Sequence, residues 1–439
     1  MHFLPQIFFL VLFIAGCFLF RKNILIIKRN IFLGKDENIN DNKAARWRNV
    51  IFLAFGQKKM FKNPLVAVMH LVVYLGFVII NIEVIEIIVD GLTGTHRVLT
   101  QILPLSLYTF LINSFEVLAL LVIVACVIFL VRRNALKIKR FISKDLIGWP
   151  KSDANYILIT EIVLMSLFIT MNACDTFLQQ NNFGHYAHVQ TNNFVVSSLL
   201  HPLISGFSFH SIELLERVCW WLHIVGIFAF LNYLPYSKHL HILFAFPTAY
   251  YGRLESQGKM TNMPAIQKEV LYAMQPELAP TNAETPASFG AKDIFDLSWR
   301  NILESYSCTE CGRCTAACPA NITGKKLSPR MIMMQTRDRA DTVGKNISKN
   351  GSFQSDNKTL LHDYISVEEL RACTTCNACV EACPVSISPL DIIVELRRSL
   401  IMEESNAPQE WNGMFSNIEN NFAPWKFSPD ERDAWTKTI

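Results

Sequence analysis

Eight of the chain's twelve cysteines fall between residues 308 and 383. They form two copies of one spacing, Cys308-x2-Cys311-x2-Cys314-x3-Cys318-Pro319 and Cys373-x2-Cys376-x2-Cys379-x3-Cys383-Pro384. Three thiolates set two residues apart can wrap a [4Fe–4S] cubane corner by corner, and the fourth, followed by proline, generally reaches a second cluster. The spacing therefore predicts one cluster on Cys308, Cys311, Cys314 and Cys383, and another on Cys373, Cys376, Cys379 and Cys318. Structural zinc uses two separated pairs of ligands rather than such runs. Disulfides are disfavoured in a reducing cytoplasm. Cys17, Cys126, Cys174 and Cys219 lie in or beside apolar stretches and read as small buried hydrophobes.

Three histidines suggest a second redox centre. A polar ring inside a membrane span is a functional hypothesis by default. His70 lies one to two turns into an apolar stretch, and His223 and His241 lie on a later one. Their 18-residue separation is five whole turns at ~3.6 residues per turn, so both rings would share one helix face. A haem b held between two helices needs a neutral imidazole from each, which pairs His70 with His241. His239 is off that face and reads as a snorkelling residue. Glu83, Glu86 and Asp175 fall towards the far ends of their stretches, either to carry protons or to mark the water boundary.

The elements that position these groups divide into two kinds. Hydrophobic residues make up 51% and charged residues 18%, against about 25% charged in a soluble domain. A uniformly soluble enzyme is excluded on that ground, and the net charge of +4 is too mild for nucleic acid. Stretches 3–20, 64–89, 103–131, 156–178 and about 212–246 are long and apolar enough for bilayer spans, which need ~20 residues. The last is interrupted by Pro235 and Lys238. Lys and Arg crowd the loops after spans one and three. The loop after span two holds only Arg97, and residues 179–210 hold no Lys or Arg. This asymmetry puts the N-terminus outside and the C-terminal half in the cytoplasm, in a bacterial inner membrane. The basic, apolar stretch from Arg46 to Phe61 reads as a loop helix or a segment lying on the membrane.

The predicted architecture is thus an all-α membrane bundle of five transmembrane helices (1–251), a proline-bearing linker (252–290), a mainly helical dicluster ferredoxin domain (291–404) and a C-terminal tail (405–439). Helical patterns fill much of the 54 residues between Cys318 and Cys373.

Several stretches resemble known families. The cysteine region resembles the helical dicluster ferredoxins of heterodisulfide reductase and succinate dehydrogenase-type subunits. The segment from Pro235 to Pro247, with its two histidines, looks like the end of the fifth helix in the nitrate reductase gamma family of five-helix dihaem cytochromes b. That resemblance covers roughly residues 60–250. It implies His70 and His241 as ligands of an inner haem, and His223 as a ligand of an outer one. The family's second outer ligand falls here on Ile80. Asn81 is a poor substitute, so a partner for His223 would come from His96, His201 or His210.

The whole arrangement resembles membrane-bound heterodisulfide reductase-like complexes. The resemblance implies a subunit passing electrons between the quinone pool, haem b and two cytoplasmic clusters, with no substrate-converting site of its own. No Cys-Cys pair occurs, so a separate cysteine-rich iron–sulfur catalytic subunit is expected as partner. Trp411, Trp425 and Trp435 in the tail could dock it or pack back on the domain. Tails of this kind follow the dicluster region in glycolate oxidase-like and heterodisulfide reductase-like proteins. A different reading is a membrane-anchored polyferredoxin that serves as a maturation factor. Such proteins carry Cys-x3-Cys-Pro pairs in their spans, and none is found here. A redox sensor or scaffold is a third reading.

Overall fold

The computed structural model describes residues 3–256, 258–260, 262–280, 288–426, 428–431 and 433–437. Among these residues there is no strand, only two isolated bridges. The labelled helices are α1 (Leu4–Ile31), α2 (Lys43–Asn49), α3 (Pro64–Thr93), α4 (Leu105–Asn134), α5 (Trp149–Gln180), α6 (Phe209–Tyr233), α7 (His241–Tyr251), α8 (Pro264–Met274), α9 (Trp299–Tyr306), α10 (Arg313–Ala317), α11 (Pro329–Asn350), α12 (Val367–Ala372), α13 (Ala378–Ala382), α14 (Pro389–Met402) and α15 (Gln409–Asn421).

Five helices are long and apolar enough to cross a membrane: α1, α3, α4, α5 and α6, the last with the turn that follows it. They run 28 to 32 residues, about 42–48 Å at ~1.5 Å per residue, so their ends project beyond a ~30 Å hydrocarbon core. Ile82, Ile85, Phe110, Leu120 and Leu214 are exposed on the outside, as lipid-facing positions should be. Phe9, Tyr108, Phe115, Phe168 and Ile224 fill the inside. Neighbours pack in the order α1–α3–α4–α5–α6, and α6 closes back on α1.

Two sequence expectations change. The first helix does not stop near Phe20 but runs on through Arg21, Lys22, Lys28 and Arg29 to Ile31. No proline or glycine interrupts it there, and Lys and Arg are good helix formers. The fifth span is not one rod to residue 246. It ends at Tyr233, and two short turns, Leu234–Tyr236 and Lys238–Leu240, lead into the separate helix α7. Pro235 lacks the N–H that would continue the ladder. Ser237 is extended, and its side chain caps the next turn by accepting from the His239 N–H at 3.1 Å. His223 and His241 therefore sit on different helices and do not share a face.

The stretch from Arg46 to Phe61 folds as α2 followed by short helical turns. Arg46 is buried and donates to the backbone carbonyls of Tyr250 (2.9 Å) and Gly252 (3.1 Å) at the end of α7. Trp47, Ile51, Phe52 and Phe55 remain exposed. Within 252–290, Pro264–Met274 is helical. Pro286 and its neighbours, 281–287, lie outside the described residues.

The C-terminal region builds each cysteine run into the same frame. A capped helix (α9, α12) delivers the first cysteine, a short helix (α10, α13) carries the third, and a Ser-Pro pair (Ser328-Pro329, Ser388-Pro389) opens a longer helix behind (α11, α14). Equivalent residues share positive φ: Glu310 and Thr375, then Gly312 and Asn377. The duplication is thus one of backbone as well as sequence. Arg339 on α11 is fully buried and ties the segment before α9 to the connector after α11, binding Asp293 (2.7 Å) and Asp356 (2.5 Å).

This region is fused to one end of the bundle. Ile27 and Ile31 of α1 share a core with Trp299, Ile302, Leu303, Ala340 and Val343. Lys35 pairs backbone to backbone with Leu297 (2.7 Å) and Trp299 (3.0 Å). Asn30 is buried against Tyr306 (3.1 Å), so close to Gly344 that a Cβ there would meet its side chain.

Candidate redox site

Cys308, Cys311, Cys314 and Cys383 line one cavity, together with Arg330, Met333 and Cys379. The fourth cysteine of the second run thus joins the first three of the first. Cys318 lies correspondingly with Cys373, Cys376 and Cys379, within electrostatic reach of one another. A ring of thiols about a cavity fits a bulky cluster better than one metal ion. Backbone N–H groups already point at the sulfurs, Ile387 N–H to Cys383 Sγ and Thr375 N–H to Cys373 Sγ, both 3.4 Å.

Burial pushes the Cys308 and Cys379 thiols up to about 12 and Cys383 to about 11. Metal must therefore displace protons to bind, which is the ordinary coupling of cluster loading to proton release.

The first ring faces the bundle. Arg140 lies beside Cys311, and Lys59 beside Cys383. Burial pulls both cations below their ordinary ranges, while the neighbouring thiolates oppose that shift. Lys59 also donates to the Val380 carbonyl (3.3 Å), Lys62 pairs with Glu381, and Arg313 reaches Met60 Sδ (3.1 Å). Behind the ring, buried Glu310 is held by Arg330 (2.9 Å) and Arg337 (3.1 Å).

His70, His241 and His239 cluster at this same end, within electrostatic reach of one another. Arg313, between the first ring's cysteines, lies within reach of His70. The His239 and His241 ring centroids are 5.8 Å apart. His241 Nδ1 lies 2.8 Å from the Lys238 carbonyl oxygen, and His223 Nδ1 3.0 Å from that of Leu164. A carbonyl only accepts, so each Nδ1 carries the proton and each Nε2 keeps a bare lone pair. His70 Nδ1 makes the same contact to Gln57 Oε1 at 3.0 Å. This is the tautomer, with its orienting partner, that a metal-ligating imidazole requires. Sequence reasoning missed Gln57, which sits at a left-handed backbone position (φ 48°). His239 lines a cavity at the cysteine-facing end of the bundle.

His223 opens on a separate cavity of about 520 Å³ with Gly76, Ile80, Asn81, Glu161 and Met165. None of His96, His201 or His210 lines it. His96 pairs with Asp175 (3.2 Å), His201 with the Thr176 hydroxyl (3.1 Å), and His210 lies near Glu213 (3.5 Å).

Glu83, Glu86 and Asp175 do not stand at a water boundary. All three are buried in a network centred on Arg97. Arg97 donates to Asp175 (2.5 Å), Tyr108 (2.9 Å) and Asn172 (2.7 Å), while Glu86 accepts from Tyr108 (3.1 Å) and the Leu99 N–H (2.9 Å). The clue in the sequence was a lone cation in the loop after α3, with three carboxylates on the neighbouring spans. Trp411, Trp425 and Trp435 are all exposed, and on α15 Trp411 is joined by exposed Phe415 and Ile418.

Against known proteins, a 4Fe-4S dicluster domain family matches residues 307–387. The chain is 27% identical over 430 residues to the "Probable iron-sulfur-binding oxidoreductase FadF" of Bacillus subtilis, covering 91% of this chain and 56% of that one. It is 25% identical over 418 residues to the EtfAB:quinone oxidoreductase of Syntrophomonas wolfei, covering 90% and 54%. A third relative is a subunit of the ferredoxin/F(420)H(2)-dependent CoB-CoM heterodisulfide reductase of Methanosarcina acetivorans. It is 34% identical over 108 residues, 24% of this chain and 53% of that one. The chain spans about half the length of the two longer relatives. No solved structure matches it. The chain has five helices long and apolar enough to cross a membrane and a helical region matching a 4Fe-4S dicluster domain, and it is similar to iron–sulfur oxidoreductases and heterodisulfide reductase subunits.

Proposed function

We propose that this chain passes electrons between a membrane quinone and a separate cysteine-rich iron–sulfur oxidoreductase subunit. The route runs through a haem b on His70 and His241, a cluster on Cys308, Cys311, Cys314 and Cys383, and a cluster on Cys373, Cys376, Cys379 and Cys318. Such groups supply one-electron carriage when bound. The observation that carries the reading is the placement of His70 and His241 at the end of the bundle on which the first cysteine ring is docked, with Arg313 between.

The chain's own residues set up that route. Gln57 and the Lys238 carbonyl hold the two imidazoles with Nε2 bare. Lys59 and Arg140 place positive charge beside the first ring, favouring an added electron there. Cys376, in the second ring, is exposed and faces outward, where a partner could take or give the electron. The exposed tryptophans of 405–439 are the proposed dock for that partner. Quinone exchange is supported by the EtfAB:quinone oxidoreductase likeness, and the cytoplasmic side of a bacterial inner membrane by the basic loops at the cysteine-bearing end. Within the chain, we propose 1–251 as the bundle, 252–290 as the linker and 291–404 as the ferredoxin domain. His223 would serve a second haem, for which the structure brings up no second histidine.

The test is a reduced-minus-oxidised spectrum and low-temperature EPR on the purified protein. A b-type spectrum is expected, lost in His70→Ala and His241→Ala with both cluster signals kept. No b-type haem, or haem unchanged in both variants, would overturn the haem step.

A further inference from the structure

Another cavity lies where the cysteine-facing ends of α4 and α5 meet the 238–240 turn. Phe129, Phe141, Ile157 and Leu158 form its apolar side, and Arg132, Arg133, Lys238 and His239 its polar side. Most of the polar capacity is already used. Arg133 donates to the Pro150 carbonyl (2.9 Å) and lies over the Phe141 ring, 5.1 Å from its centroid. Lys238 donates to the same carbonyl (2.8 Å) and stands 3.6 Å from Asp153. Among the fully buried atoms of this lining, Arg133 Nε–H and His239 Nδ1 are left over. Both are buried and neither has a partner.

Buried polar atoms left unpaired call for a ligand or a water. Two separate hydrogen-bonding points among apolar and aromatic walls suit a flat ring with an oxygen on either edge. A phosphate headgroup would instead demand several donors converging on one centre. The cavity is also next to the first cysteine ring, since Lys238 and Arg140 both lie within reach of Cys311.

We propose that this cavity binds a quinone headgroup, with Arg133 Nε–H on one oxygen, the His239 ring on the other, and the ring against Phe129 and Leu158. The assignment rests on the quinone exchange proposed above and adds where it takes place. A histidine suits either redox state, because it can donate to a carbonyl or accept from a hydroxyl. The headgroup then lies at the cysteine-facing end, away from the buried Arg97 network at the other.

Binding of 2-heptyl-4-hydroxyquinoline N-oxide, followed by quenching of its fluorescence, tests this on the purified full chain in lipid nanodiscs. The wild type should bind saturably. Arg133→Gln removes a donor and Leu158→Trp fills the space. Each should weaken binding about tenfold or more, with cluster EPR unchanged as the check on folding, while Glu86→Gln at the opposite end leaves affinity unchanged. Full affinity in both cavity variants would overturn the assignment and leave quinone exchange standing at another site. Loss of a co-purifying anionic phospholipid at unchanged inhibitor affinity would overturn it in favour of a lipid site. A wild type that neither binds the inhibitor nor has its clusters reduced by quinol would overturn both this site and the quinone reading.

Discussion

The two cysteine rings share spacing and backbone conformation but not surroundings. The first is pressed against the bundle, with Lys59 and Arg140 beside its sulfurs and Leu146 against Gly312. The second has Arg397 beside Cys373 and Cys376 exposed, and the bundle reaches it through Lys59 and Lys62 on α13. A duplicated motif has been differentiated by its neighbours, and charge and water are the levers that tune an iron–sulfur potential. On the proposed route the inner ring would exchange electrons with the membrane side, and the outer ring with the docked partner.

The comparison breaks most visibly at the ligands. Cys308→Ala should abolish quinol-driven reduction of both clusters. Cys376→Ala should leave the first cluster reducible and stop delivery beyond it. EPR after quinol addition separates the two, and equal behaviour of the variants would remove the asymmetry. Next comes the Arg339 staple. Arg339→Met strands Asp293 and Asp356, and should lower the stability of the cysteine region by ~3–5 kcal/mol, read from denaturant midpoints. Arg339→Lys should rescue little, because an ammonium cannot span both carboxylates as a guanidinium does.

A smaller difference is expected at equivalent backbone positions. Gly312→Ala puts a Cβ 2.7 Å from Leu146 Cδ1 at φ +71°, costing ~1–2 kcal/mol from the backbone alone and loosening the first ring from the bundle. Asn377→Gly at the second ring should be nearly neutral. Thermal melts of the two variants would show the gap. Arg140→Gln should then move the first cluster to a more negative potential by tens of millivolts, as removing a nearby cation must, and leave the second unmoved in a redox titration.

The smallest expected effect is an acid one. The hydrogen bond from Arg339 holds the Asp356 carboxyl below its ordinary 3.8. A depressed carboxylate stabilises the fold above the unfolded value and loses that contribution as pH falls through the folded one. Asp356→Asn should therefore flatten the stability profile below about pH 4.

Much of this was legible in the sequence. Apolar runs of bilayer length need no partner to declare themselves, and cysteine spacing is a local property. What depended on distant partners was not legible. Pro235 was visible, but membrane helices tolerate proline when neighbours satisfy the freed carbonyl. Only the extended Ser237 and its cap show the helix ending there. The carboxylates Glu83, Glu86 and Asp175 were visible, but not that Arg97 gathers them into a buried network. His70 was visible, while Gln57, thirteen residues away, acquires its role only when the chain folds back. The union of α1 with the cysteine region spans some 270 residues of sequence, and no local pattern announces it.

That union bears on how the protein is made. The last turns of α1 leave the ribosome long before their packing partners on α9 and α11 exist. Ile27, Ile31 and Asn30 must wait at the membrane surface while four more spans are inserted. A fragment of the cysteine region alone would carry Trp299, Ile302 and Val343 with part of their cover missing. The two halves mature as one object, and the first helix to be inserted is among the last to be finished.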